Sequence, residues 1–288
     1  MKAVFEREFR SYFSTMTGYL LCAFLLLFAG IFITILCFVN GYPNFEYVLS
    51  NMSFVFVIVT PILTMRVMAE ERRQKTDQLL YSLPLGLTRV VLGKFFALMA
   101  VLAVPTVVMG VYPLVMSAYG EVNLKAAYSC LLAFFLMGGA LLAIGLYISS
   151  VTESVIASAA ICFVVVLVNY YLTVISSYLP STASGSLWLF LSLAAAVSLI
   201  VLWMTRSSVA AVGTLAVAGG GVAAAWLLAK DSFAGLFPAL LKRLSVFETF
   251  DSFINGELDL TGLFFYISVI AVFLVLTVQS LEKRRWSE

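Results

Sequence analysis

Long apolar runs alternate with short charged ones from one end of this chain to the other. Eight stretches, at about 18–39, 47–65, 95–118, 126–149, 155–177, 187–204, 208–229 and 263–281, contain no Asp, Glu, Lys or Arg. Each is long enough for a helix to cross the ~30 Å hydrocarbon core of a bilayer. A charge at the centre of such a helix costs about 2.5–3.5 kcal/mol on insertion scales, so exclusion this complete is the imprint of a lipid solvent. The pattern predicts an all-α polytopic membrane protein with about eight transmembrane helices.

Two of the eight form a hairpin at 187–229, joined by little more than Arg206 and two serines. The first is about as short as a span can be, and the second is rich in Ala and Gly. If the hairpin only dips into the membrane the count is six, and both termini stay on the same side either way. Gly213, Gly219, Gly220 and Gly221 suit a helix pressed closely against a neighbour.

The polar segments between the spans carry their own periodicity. In residues 1–16, Phe5, Phe9, Tyr12, Phe13 and Met16 share one helical face while Glu6, Arg7 and Arg10 share another. That arrangement predicts an amphipathic helix in the interface before the chain turns into the first span. The apolar run that follows is longer than the core of a signal peptide, so an uncleaved first span is expected. In 66–94, Arg66, Glu70, Arg73 and Asp77 form one charged stripe, and Glu71 and Lys75 make an i,i+4 pair in the favourable order. A helix over about 66–82 is expected, with Pro84 ending it. In 230–262, Phe237, Leu240, Leu241, Leu244, Phe247 and Ile254 recur at helical spacing among charges. This predicts a helix or helix pair resting in the opposite interface, with a turn at Asn255-Gly256.

Charge fixes the expected orientation. With the N-terminus inside, the inner segments hold Lys2, Arg7, Arg10, Arg66, Arg72, Arg73, Lys75, Arg89, Lys94, Arg206, Lys283, Arg284 and Arg285, which is 13 of the 17 basic residues. Only Lys125, Lys230, Lys242 and Arg243 lie outside. This is the positive-inside bias, and it predicts cytoplasmic N- and C-termini. Trp188 and Trp226 at outer span ends, and Trp203 and Trp286 at inner ones, agree with indole's preference for the headgroup level.

The candidate chemistry is sparse. There is no histidine, and Cys22, Cys37, Cys130 and Cys162 all fall within spans with no CxxC among them. They read as small packing residues, so neither a metal site nor a catalytic residue is expected. Asn51, Thr60, Asn169, Tyr170 and Tyr171 are polar groups inside spans and therefore candidate passage-lining residues. Each is equally a helix–helix hydrogen-bonding residue. No G-x-x-x-x-G-K-[ST] phosphate loop is present, so the chain is not expected to bind or hydrolyse nucleotide itself.

The stretch PILTMRVMAEERRQKTDQLLYSLPLGLTRVVLGKFFA, Pro61–Ala97, resembles the signature region of ABC-2 type permeases. REFRSYFSTMTGYLL (Arg7–Leu21) resembles the family's interfacial helix, and ISSVTESVIAS (Ile148–Ser158) its second cytoplasmic turn. FDSFINGELDLTGLFFYISVIAVFLVLTVQSLEKRRW (Phe250–Trp286) resembles its closing outer helix, last span and basic tail. The resemblance is nearest to the gliding-motility and multicopper-enzyme-maturation branch. It covers nearly the whole chain except the hairpin at 187–229, which is additional to a six-helix core.

The resemblance implies a single permease domain over 1–288 in a bacterial plasma (inner) membrane, working as a multi-pass subunit of an ATP-driven exporter. It implies three kinds of partner: an ABC-type ATPase that binds ATP and Mg²⁺, a second copy or a related permease, and the bilayer, but no nucleic acid. Arg66, Glu70, Glu71, Arg72, Arg73 and Asp77 would dock the coupling segment on the ATPase, and Thr152 and Glu153 would form a second contact. An ion-coupled secondary transporter is an alternative, although such carriers use ionisable groups near the midplane, which these spans lack. A non-transporting membrane anchor of a larger complex is another.

Overall fold

A computed structural model describes residues 1–39, 41, 44–74, 86–118, 120, 122–205, 213–217, 219–222, 226, 233–255 and 259–285. Among these the chain is helical throughout, without strands. The helices are α1 (Lys2–Ser14), α2 (Met16–Ile33, continued by a π-helical turn Thr34–Val39), α3 (Phe45–Met52), α4 (Phe56–Thr64) and α5 (Ala69–Arg73). They continue as α6 (Leu87–Met109), α7 (Tyr112–Ser117), α8 (Leu124–Val151), α9 (Val155–Tyr178) and α10 (Ala183–Thr205). The last three are α11 (Leu236–Leu244), α12 (Glu248–Ile254) and α13 (Leu260–Arg285).

Six helical segments are long and apolar enough to cross a membrane: Met16–Val39, Phe45–Arg73, Leu87–Ser117, Leu124–Val151, Val155–Tyr178 and Leu260–Arg284. The protein has the fold of a multi-pass α-helical membrane protein. In the hairpin region α10 is helical over the first expected span, and 213–217 and 219–222 are helical within the second. Its connection at 206–212 lies outside the described residues.

The chain divides into two compact units, residues 1–170 with 246–288, and residues 171–245. The first is built around α8. Its buried face carries Ala126, Ala127, Ala133, Gly138, Gly139, Ala140, Ala143 and Gly145, small residues that let neighbouring backbones approach. A Cβ on Gly138 would lie 2.6 Å from Leu102 of α6 and 2.8 Å from Phe56 of α4, so those helices are seated where a side chain would be. α13 runs along the same helix, and Phe134 of α8 packs against Phe56 and Phe250. By contrast α9 and α13 expose Val164, Val168, Phe264, Val272 and Val275, the aliphatic surface expected against lipid.

α1 and α2 meet at a corner made by Thr15, whose extended backbone ends α1 and whose hydroxyl donates to Ser11 O at 2.8 Å. Gly18 permits the fold-back, since a Cβ there would sit 2.7 Å from Tyr12 O. The expected amphipathic helix is therefore present, but it lies along the start of α6: Met1 and Val4 occupy the space beside Gly93. Phe9, Tyr12 and Phe13 pack on the core.

In the second unit α10 packs against α11, and Phe190 meets Phe237 edge-on at a centroid distance of 4.9 Å. The outer segment does form helices, but the break between α11 and α12 falls at Ser245–Phe247. Asn255 ends α12, and Gly256 lies outside the described residues.

Candidate functional site

The charged end of the first unit holds the polar cluster of most consequence. Lys94, in the second turn of α6, has a fully buried side chain. Its Nζ donates to Val67 O at 2.6 Å, lies 2.5 Å from Glu71 Oε2 and 3.7 Å from Glu8 Oε1. Arg7 closes the set, with Nη2 at 2.8 Å from both Glu8 Oε1 and Glu71 Oε1. Two cations and two carboxylates thus join α1, α5 and α6. A buried ammonium without a counter-charge would be prohibitively placed; here the Coulomb partners and the Val67 carbonyl satisfy it. The Arg7 guanidinium is held above its ordinary pKa, first by its hydrogen bond to Glu8 and then by the attraction of the two carboxylates against some burial. Beside the cluster, Tyr12 OH donates to Leu63 O at 2.7 Å, and burial pushes its phenol upward.

α5 begins at Ala69, later than the helix expected from 66. After Thr64 the chain makes an irregular turn whose backbone groups are taken up by distant side chains. Ser149 Oγ accepts from Met68 N at 3.2 Å and Ala69 N at 3.1 Å, and Lys94 takes the Val67 carbonyl. Such capping by residues 27 and 81 positions away offsets the cost of interrupting the helix. The helix ends at Gln74; Lys75, Asp77 and the apolar positions up to Pro84 lie outside the described residues.

The two segments expected to dock a partner lie side by side. Arg72 Nη1 donates to Thr152 O at 2.8 Å, and Arg284 of α13 donates to Val151 O at 3.0 Å. The sequence-derived set then splits. Glu71 and Arg72 are turned inward and engaged within the chain, whereas Arg66, Arg73 and Glu153 are exposed. Glu70 is half-buried and accepts from Gln74 at 3.5 Å. Glu71 pairs with Arg7 and Lys94, while its expected partner Lys75 lies outside the described residues.

The passage-lining candidates make different contacts. Asn51 is exposed and donates to Tyr47 O of its own helix at 2.8 Å. Thr60 is fully buried, and its hydroxyl has no hydrogen-bond partner among the described residues. Asn169 accepts from Val246 N at 3.0 Å, and the Tyr170 ring packs edge-on against Phe54 and Phe247. Asn169 and Tyr170 thus fasten the chain just before α12 to α9. Tyr171 is exposed.

Sequence reasoning missed Lys94, Glu8 and Ser149. The signal for Lys94 was its place in VLGKFF, one residue before an uninterrupted apolar run. A lysine at that depth needs either water or an anion. Among the described residues no three His, Cys, Asp or Glu side chains are grouped to hold a metal ion. The arrangement offers ionic locking between helices.

No protein-family model matches this sequence, and no curated protein matches it either. The class that the fold defines is a multi-pass helical membrane protein.

Proposed function

We propose that the chain is the permease subunit of an ATP-driven ABC-2 type exporter in a bacterial inner membrane, with both termini in the cytoplasm. The observation that carries this reading is the meeting of α5 with the 151–154 turn through Arg72 and Thr152. It makes one continuous polar surface of the two segments that the family resemblance assigns to ATPase contact. Arg66, Arg73 and Glu153 face outward on it, with Glu70 at its edge. Behind it the Arg7–Glu8–Glu71–Lys94 cluster ties α5 to α1 and α6. A push on α5 is thereby passed to the N-terminal helix and the third span instead of being absorbed by a loose loop.

In this reading ATP and Mg²⁺ are bound by the partner ATPase, and a second permease copy or a related one completes the passage. The chain crosses the membrane eight times if the 187–229 hairpin spans and six if it does not. Affinity purification of the tagged chain under mild detergent, followed by mass spectrometry, tests the proposal. Recovery of an ABC-type ATPase near a 1:1 ratio supports it, and recovery of no nucleotide-binding subunit overturns it.

A further inference from the structure

Pro105 sits inside α6, where it has no N–H to donate to the preceding turn. Beside it lies an open-sided groove of about 270 Å³, walled by Ala103, Thr106 and Val107 of α6 and by Tyr128, Leu131 and Phe135 of α8. Its two hydroxyls are already committed to backbone carbonyls: Thr106 donates to Leu102 O at 2.8 Å and Tyr128 to Gly110 O at 3.0 Å. The groove therefore presents a surface of hydrocarbon character. A transmembrane helix about 10–12 Å across is too thick to enter it, but an extended alkyl chain is not.

What lies at its mouth decides the rest of the ligand. Lys125 is exposed and stands three residues before Tyr128, on the stripe that continues through Leu132 and Phe135 into the groove. Three residues are about 4.5 Å of helix rise, the offset between a headgroup phosphate and the first acyl carbons. Lys125 also falls in the first turn of α8, whose N-terminus carries partial positive charge. Asn123 already takes up Ala126 N at 3.3 Å, so the ammonium is the principal anion-binding group at the rim.

We propose that the α6–α8 groove is a phospholipid site, taking one acyl chain of an anionic lipid between the helices and its phosphate on Lys125. The site rests on the membrane fold alone and not on the transport reading. The lipid is a resident ligand that fills the space between the two helices.

The test uses the full-length protein in vesicles of phosphatidylglycerol or phosphatidylcholine carrying a mid-chain diazirine, with adducts mapped by peptide mass spectrometry. The expected result is labelling concentrated on 103–107 and 128–135, stronger from phosphatidylglycerol. Lys125→Ala should lower the phosphatidylglycerol signal about fivefold, the effect of one basic residue at an anionic surface, and leave the phosphatidylcholine signal unchanged. Ala103→Phe, which fills the groove, should abolish labelling there from both lipids. Val107 is 71% exposed, so Val107→Trp covers the groove from outside if Ala103→Phe does not fold. Labelling spread evenly onto the lipid faces of α9 and α13, or unchanged by the blocking variant, overturns the site. Equal labelling by the two lipids, or indifference to Lys125→Ala, overturns the headgroup assignment. Crosslinking of the groove to a second copy of the chain overturns the lipid as occupant.

Discussion

The Lys94 ammonium lies 2.5 Å from the Glu71 carboxylate, with the lysine side chain fully buried and the glutamate one-fifth exposed. This pair connects the first turns of the third span to the short helix that ends the second. It does so beside the irregular stretch between Thr64 and Ala69, where Lys94 also takes the Val67 carbonyl, so the ion pair adds to the backbone hydrogen bonds that remain there. Arg7 and Glu8 extend it to the N-terminal helix.

Breaking the pair from one side should be severe. Removing one partner of a buried ion pair typically costs about 3–5 kcal/mol, because the other charge stays behind without compensation. Lys94→Met removes one of the two described cations beside Glu8 and Glu71, and the loss should fall toward the lower end because Glu71 retains some solvent. Glu71→Gln combined with Lys94→Met should recover part of that loss. Thermal unfolding of both single variants and the double variant in detergent checks this; losses that simply add in the double variant would show the pair to be uncoupled.

Helix contacts along α8 should respond to single methyl groups. Gly138→Ala introduces a Cβ within 3 Å of Leu102 and Phe56, and such overpacking costs about 1–3 kcal/mol. Gly30, in α2, has nothing within 4 Å of the corresponding position. Gly30→Ala should be neutral or stabilising by up to about 1 kcal/mol through helix propensity. Unfolding temperatures of the two variants, measured in the same detergent, give the comparison.

The spans were legible because lipid enforces them: exclusion of charge over 18 or more positions has one common cause, and Met16–Val39, Leu87–Ser117 and Leu124–Val151 appear where the pattern puts them. The roles of individual charges were not. Spacing offers Glu71 only a neighbour four residues on, Lys75, which lies outside the described residues, and says nothing of Arg7, 64 positions away, or of Lys94, both of which it meets. Local spacing reports only what a helix would do in isolation, and α5 is too short for those rules to govern. Asn51 and Asn169 were ambiguous for a different reason. An amide in a span has the same identity whether it meets its own helix, as Asn51 does, or clasps another segment, as Asn169 does at Val246.

Two acidic groups of the α12–α13 corner should titrate against each other. Asp259 accepts from Thr261 N at 2.9 Å and Ser252 Oγ at 3.4 Å, and hydrogen bonds from Thr261 hold its carboxyl below the ordinary value. A depressed acid contributes stability above its unfolded pKa of about 3.9, and that contribution is lost as pH falls through the folded value. Asp251 is raised, by burial first and then by Glu248. Its ionised form is disfavoured in the fold, so its penalty is relieved as pH drops through the raised pKa. Asp259→Asn should flatten the acid side of the stability profile below pH 4, whereas Asp251→Asn should raise stability at pH 7 and remove the gain on acidification. Unfolding temperature measured between pH 7 and 3 separates the two.

Docking and folding should be separable on the polar surface formed by α5 and the 151–154 turn. Arg73 and Glu153 are exposed, and substitutions at such positions usually change stability by no more than about 0.5 kcal/mol. Charges on a rim set register and association rate, so reversing them acts on the partner rather than on the chain. Arg73→Glu with Glu153→Lys should therefore abolish recovery of the ATPase while leaving the unfolding temperature unchanged. Glu71→Lys is the contrasting case: it sets a third cation beside Lys94 and Arg7 and should lose ATPase binding and stability together. Copurification and thermal unfolding measured on both variants give a two-way comparison. An exposed-charge variant that keeps full ATPase binding would remove this surface as the docking site, and a Glu71→Lys protein of native stability would show that the cluster does not fasten α5.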